Sequence, residues 1–170
     1  MCAMEKDNLN ESIYWEKEIE IFPRSELEGL QLKRLRETIT RAKAVPFYNE
    51  KLKATSFYPD RIASIDSIRT LPFITKGDLR NQFPYGLLAV PLEDCIRVYA
   101  SSGTTGRAVA VLHTENDIER WSNLVVDRCL YGVGGRKSDI FQNMADYGLF
   151  KGGMGFHYGA QKLGALTIPI

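Results

Sequence analysis

Ser101-Ser102-Gly103-Thr104-Thr105-Gly106 carries four hydroxyls and two glycines in six residues, and a cation, Arg107, follows directly. Hydroxyls, backbone amides that glycine allows to turn inward, and a guanidinium together form a donor set suited to a polyanion such as phosphate. The segment is not a Walker loop: it lacks G-x-x-x-x-G-K-[ST] and leads into a β-branched run instead of opening a helix. As bare chemistry, a Ser/Thr/Gly turn between strands is more often a hairpin loop than a nucleotide site. A second candidate is Tyr147-Gly148-Leu149-Phe150-Lys151-Gly152-Gly153. On its residues alone it reads as a strand-to-helix turn packed closely through glycine. His113 reads as a loop residue at a strand-to-helix turn, and His157, on a glycine-rich helix near the second candidate, reads as structural. No nucleophile stands beside a base, so no catalytic residue is assigned.

These segments need elements to place them. Ser25-Glu26-Leu27-Glu28 reads as a capping box opening a helix from about Ser25 to Ala44, with Leu32, Leu35, Ile39 and Ala42 as its apolar stripe. Pro46 stops that helix and suits the first turn of a shorter one through Leu52. Thr75-Lys76-Gly77-Asp78 is a second capping signal, before a short helix that ends near Phe83-Pro84. From Asp94 the texture changes. Ile96, Val98 and Ala100 alternate with Arg97 and Tyr99 as a half-buried strand, and Val109 to Leu112 forms another. Thr114 can cap a helix whose apolar positions are Ile118, Trp121, Leu124, Val125 and Leu130, ended by Gly132, Gly134 and Gly135. Ser138–Asn143 reads as a strand, Phe150–Leu163 as a helix and Ala165–Ile170 as a strand. The succession implies an α/β fold: a helical N-terminal region, residues 1–91, followed by an incomplete, mainly parallel βαβ sheet in residues 92–170.

The 170 residues are 44% hydrophobic and 25% charged, with a formal net charge of +1, as in ordinary globular proteins. That charge gives no basic stripe for nucleic acid. No apolar run reaches the ~18 residues of a membrane span, and Glu5, Lys6 and Asp7 interrupt any secretory leader, so a cytoplasmic protein is expected. Asn10-Glu11-Ser12 fits a glycosylation sequon that such a protein would not use. Cys2, Cys95 and Cys129 lack metal or redox spacing and read as reduced thiols, with Cys95 and Cys129 expected to be buried.

Tyr99-Ala100-Ser101-Ser102-Gly103-Thr104-Thr105-Gly106 resembles the phosphate loop of the adenylate-forming superfamily. The likeness extends through Tyr14-Trp15, Pro46-Phe47-Tyr48, Leu71-Pro72-Phe73, Thr75-Lys76, Leu79-Arg80, Tyr147 to Gly153 and Gly155-Phe156-His157-Tyr158-Gly159-Ala160. In order and spacing this is similar to the phenylacetate-coenzyme A ligases, over almost the whole chain. The resemblance implies two-step chemistry, in which an aryl acid is activated by ATP to an acyl adenylate and passed to coenzyme A as a thioester. It further implies that Ser101, Ser102, Gly103, Thr104, Thr105, Gly106 and Arg107 bind the ATP phosphates, and that Tyr147, Phe150, Gly152 and Gly153 line the acyl pocket. Two departures stand out. The family's Lys-Pro after the loop is Arg107-Ala108 here, which keeps charge but alters geometry. An aromatic common five residues before Phe150 is Ala145 here, followed by Asp146, which leaves open which aryl acid is taken.

The resemblance also implies that the adenine and ribose sites, the acidic ligand of Mg2+ and a mobile C-terminal domain lie outside this sequence. Both regions are then parts of one truncated N-terminal ligase domain, expected to show no turnover alone and to self-associate through uncovered apolar surface. The alternative is an inactive remnant, or an anion- or partner-binding module completed by a separate C-terminal piece.

Overall fold

The computed structural model describes residues 12–55, 57–101, 106, 108–149 and 151–170. A short helix, α1 (Lys17–Glu20), precedes the long α2 (Arg24–Lys43) and α3 (Pro46–Ala54), which has Pro46 in its first turn. Ile39, Leu52 and Ile62 form the buried centre of this region, with Leu32, Leu35, Phe57 and Leu71 packed around it. The Arg36 guanidinium donates twice to the Ile62 carbonyl, from Nε at 3.0 Å and Nη2 at 2.6 Å, and so ties the following 3-10 turn, Pro59–Arg61, back to α2.

The expected Ser25 capping box does not form. The flanking position at the start of α2 is Pro23, and Ser25 lies inside the first turn. With φ −53° Pro23 already points the chain into the helix, and its carbonyl accepts from the amides of Glu26 and Leu27, so the helix begins before Ser25 can cap it. At α4 (Lys76–Asn81) the box does form. The Asp78 amide donates to Thr75 Oγ1 at 3.1 Å, and the Thr75 amide donates to Asp78 Oδ2 at 2.8 Å. Lys51 of α3 lies 3.4 Å from the same carboxylate, which anchors α4 to the helical core.

The Thr75 backbone amide, then its hydroxyl and then Lys51 hold the Asp78 carboxyl below its ordinary pKa. A carboxyl lowered on folding contributes stability above its unfolded pKa and loses it as pH falls through the folded value. The difference in thermal midpoint between wild type and Asp78→Asn is therefore expected at neutral pH and to close as the pH drops below the ordinary carboxylate range of about 4. Calorimetric scans of both proteins against pH check this.

The strands pair in two sheets. β1 (Cys95–Ala100) and β2 (Ala110–Thr114) are antiparallel, whereas β3 (Ile140–Asn143) and β4 (Leu166–Pro169) are parallel and in register from Ile140↔Leu166 to Asn143↔Pro169. The α/β class holds, and connection length decides each pairing. Residues 101–109 are too few for the crossover a parallel pair needs, whereas residues 144–165 accommodate α6 (Lys151–Leu163). A second capping box, Thr114 with Asp117, opens α5 (Glu115–Val125), which continues through a π turn, Val126–Leu130. Five-residue spacing in that turn brings Val125 and Leu130 into one core with Val126, Ala160, Leu163 and Ala165. Leu124, expected inside, is 52% exposed, and Val126 takes its place at 0%. Trp15 joins this core, its ring tilted against that of Tyr131 and its Nε1 donating to Asn123 Oδ1 at 2.8 Å.

Candidate functional site

The β1–β2 hairpin closes on Ser101. The Ser101 amide donates to the Val109 carbonyl at 3.0 Å, and the Val109 amide donates to Ser101 Oγ at 2.9 Å. The Ser101 oxygen is thus engaged in the neck of the loop, and its hydroxyl proton is the part that can serve an anion. At the other side Gly106 has φ +136°, in the range where a side chain is strained. Ser102, Gly103, Thr104, Thr105 and Arg107 lie outside the described residues, as does Phe150 of the second candidate.

The two candidates meet at the end of β1. The Ala100 amide donates to the Leu149 carbonyl at 3.0 Å, so the first loop residue stands beside the 147–153 segment. That segment is organised by Asn143, at the end of β3 and 3% exposed. Asn143 Nδ2 donates to the Gly153 carbonyl and to Tyr147 Oη, both at 2.7 Å, and Oδ1 accepts from the Ala145 amide at 3.3 Å. Backbone partners at both ends fix the amide orientation. Tyr147 Oη also lies 3.2 Å from His157 Nδ1, with the rings edge to face. Tyr147 Oη thus accepts from Asn143 and makes a second hydrogen bond with the imidazole, whose direction follows the His157 tautomer.

Gly153 has no room for a side chain: a Cβ would sit 2.3 Å from the Asp146 carbonyl oxygen and 2.8 Å from that of Ala145. Gly152 precedes it in the first turn of α6, which starts at Lys151. Tyr147, Gly152 and Gly153 are thus held together at the β3-to-α6 turn, and the structural reading of His157 acquires a defined partner in Tyr147. Asn143 was not singled out from sequence. Its only signal there is a polar residue at the end of an apolar strand, immediately before a turn.

Other expectations fare differently. His113 is a strand residue in β2, not a loop residue, and its ring lies over Trp121 at 5.9 Å and edge-on to Tyr99 at 5.2 Å. Tyr99 is buried, and that burial pushes its phenol pKa up. Cys95 is half-buried, and Cys129 is exposed because the π turn points residues 128 and 129 outward. Among the described residues there is no group of three or more His, Cys, Asp or Glu that could hold a metal ion. Among them, too, no helix is long and apolar enough to cross a membrane.

No protein-family model matches the chain. Individual proteins do. It is 44% identical over 146 residues to the phenylacetate-coenzyme A ligase of Escherichia coli, covering 85% of this chain and 33% of the ligase. The corresponding ligase of Thermus thermophilus is 39% identical over 157 residues, covering 92% of this chain and 35% of that protein. Among solved structures, a 2-hydroxyisobutyryl-CoA ligase in complex with 2-HIB-AMP and CoA superposes with a TM-score of 0.86 at 28% identity, over 99% of this chain and 37% of that one. The same ligase in its postadenylation state gives a TM-score of 0.85 at 26% identity. The chain spans about a third of the length of these relatives. In sequence and in fold it is similar to that share of the phenylacetate-coenzyme A ligases, within the adenylate-forming coenzyme A ligases.

Proposed function

We propose that this chain supplies the phosphate loop and part of the acyl slot of an ATP-dependent aryl-acid:coenzyme A ligase. The observation that supports the reading is the hydrogen bond from the Ala100 amide to the Leu149 carbonyl, which brings the residue before Ser101 against the start of the Tyr147–Gly153 segment. Adenylation needs that neighbourhood. A carboxylate oxygen must attack the α-phosphorus of ATP while pyrophosphate departs, and both partners are anions, so the reaction depends on charge neutralisation and alignment. The thiol of coenzyme A then displaces AMP from the acyl carbon. In this scheme Ser101, Ser102, Thr104 and Thr105 donate to the β- and γ-phosphates, Gly103 and Gly106 permit the turn, and Arg107 adds positive charge. Tyr147, Phe150, Gly152 and Gly153 bound a slot for an aryl acid such as phenylacetate. Mg2+ would draw its ligands from elsewhere in a complete ligase. The reading places the protein in the cytoplasm and treats 1–91 and 92–170 as parts of one domain.

Titration calorimetry with ATP tests it: the chain should bind ATP, and Thr104→Ala and Thr105→Ala should weaken binding roughly tenfold each, as for loss of a hydrogen bond to a charged group. Failure of the wild-type chain to take up ATP would overturn it. A second reading, a module without turnover completed by a further polypeptide or by another copy of itself, is favoured by the outer face of the parallel sheet. Ile140 is 65% and Leu166 64% exposed there, although parallel sheets are ordinarily covered on both faces. Light scattering at micromolar concentration separates self-association from a monomer.

A further inference from the structure

The short helix α4 ends one residue beyond Arg80, and its capping box and the Lys51–Asp78 ion pair hold it against the helical core. Arg80 crosses from there to the hairpin. A Cβ built on Gly106 would lie 3.8 Å from its Cζ and 3.9 Å from Nη1, so the guanidinium stands beside the exit of the hydroxyl-rich loop. The opposite strand of the neck is fixed by Ser101 and Val109. The side chain is half-buried, a setting in which a cation is screened less by water than at the open surface.

The geometry points to Arg80 as a second phosphate-binding cation of this loop, delivered from the helical region to the β- and γ-phosphate end of ATP. The assignment rests on the phosphate-loop reading above and deepens it. A nucleoside triphosphate carries more negative charge than Arg107 alone can offset. A planar guanidinium can present two parallel N–H donors to a phosphate, and it stays charged at any physiological pH. Gly106 is favoured by its φ of +136°, and at 3.8 Å an added Cβ would only touch the guanidinium without displacing it. On this view α4 is a rigid mount, and the purpose of its capping box is to keep Arg80 at one distance from the hairpin.

The test is titration calorimetry on the 170-residue chain with ATP, ADP, AMP and inorganic tripolyphosphate, comparing wild type with Arg80→Gln and Arg80→Lys. Arg80→Gln should weaken ATP and tripolyphosphate roughly tenfold to a hundredfold, as for loss of a charge-assisted hydrogen bond, and ADP less, with AMP unchanged. Arg80→Lys should recover part of the loss, and circular dichroism and the unfolding midpoint should stay those of the wild type. Equal loss for ATP and AMP, or a lowered midpoint in both variants, would make Arg80 a brace for the hairpin and overturn the assignment. Unchanged ATP binding in Arg80→Gln would overturn it while the loop reading stands. A wild-type chain that takes up neither ATP nor tripolyphosphate overturns the loop reading and this assignment with it.

Discussion

Gly159→Ala should lower stability by about 3 kcal/mol, roughly 6–12 °C in unfolding midpoint for a chain of this size. In most helices the same change would help, since alanine is favoured over glycine by about 1 kcal/mol. Position 159 differs because α6 lies directly on α5 there. A Cβ would meet Val125 Cγ1 at 2.5 Å and Val125 Cβ at 2.9 Å. A γ-methyl can rotate away, but a Cβ is fixed to its backbone, so relief requires the two helices to separate. Val125, Val126, Leu130, Ala160 and Leu163 would all lose contacts in the process, because interiors are packed without slack. One turn earlier, Gly155→Ala meets the Trp121 ring at 2.3 Å. That ring is only partly buried and can swing, so a smaller loss is expected. Gly29→Ala in α2 is the control: nothing lies within 4 Å of its Cβ, and it should gain about 0.5–1 kcal/mol. Thermal and urea unfolding of the three variants should rank them in that order.

What could be read from sequence followed how local the determinant was. Thr75 with Asp78 and Thr114 with Asp117 announced α4 and α5, because a capping box needs only four residues and its own backbone. Ser25 with Glu28 carried the same signature and failed, since the preceding Pro23 set the helix start first. The hairpin geometry of β1 and β2 follows from the length of their connection, whereas the β3–β4 pairing depends on α6 folding between them. The exchange of Leu124 for Val126 in the core was invisible, because a π turn shifts the helical period and nothing in the local residue types marks it. At the site, the loop was evident from composition and the aromatic-glycine segment from resemblance. Asn143 was not, because its role lies in joining Tyr147 to the Gly153 carbonyl across a turn, and that contact exists only after β3 and α6 have docked.

That dependence makes Gly153 the most sensitive point of the proposed acyl slot. Gly153→Ala places a methyl where the carbonyl oxygens of Asp146 and Ala145 already stand, at 2.3 and 2.8 Å. Both obstacles are backbone, so no side-chain rotation relieves them. Either the 145–147 turn moves outward or the first turn of α6 unwinds. In both cases the Gly153 carbonyl leaves Asn143 Nδ2, and a buried amide loses a partner at a cost of about 1–3 kcal/mol. Tyr147 then loses the bond that holds its ring beside His157. The expected result is a protein destabilised by about 2–3 kcal/mol that no longer binds arylacetates, while its uptake of ATP falls much less, since the hairpin neck at Ser101 and Val109 is untouched. Gly148→Ala is the control, because its Cβ would meet only the Asp146 carboxylate, at an ordinary 3.5 Å. Calorimetry with phenylacetate and with ATP, together with the His157 imidazole proton shifts by NMR, reads each consequence separately. Equal loss of both ligands in Gly153→Ala would show that the loop and the slot are one structural unit, and arylacetate binding that survives the change would remove the 147–153 segment from the substrate site.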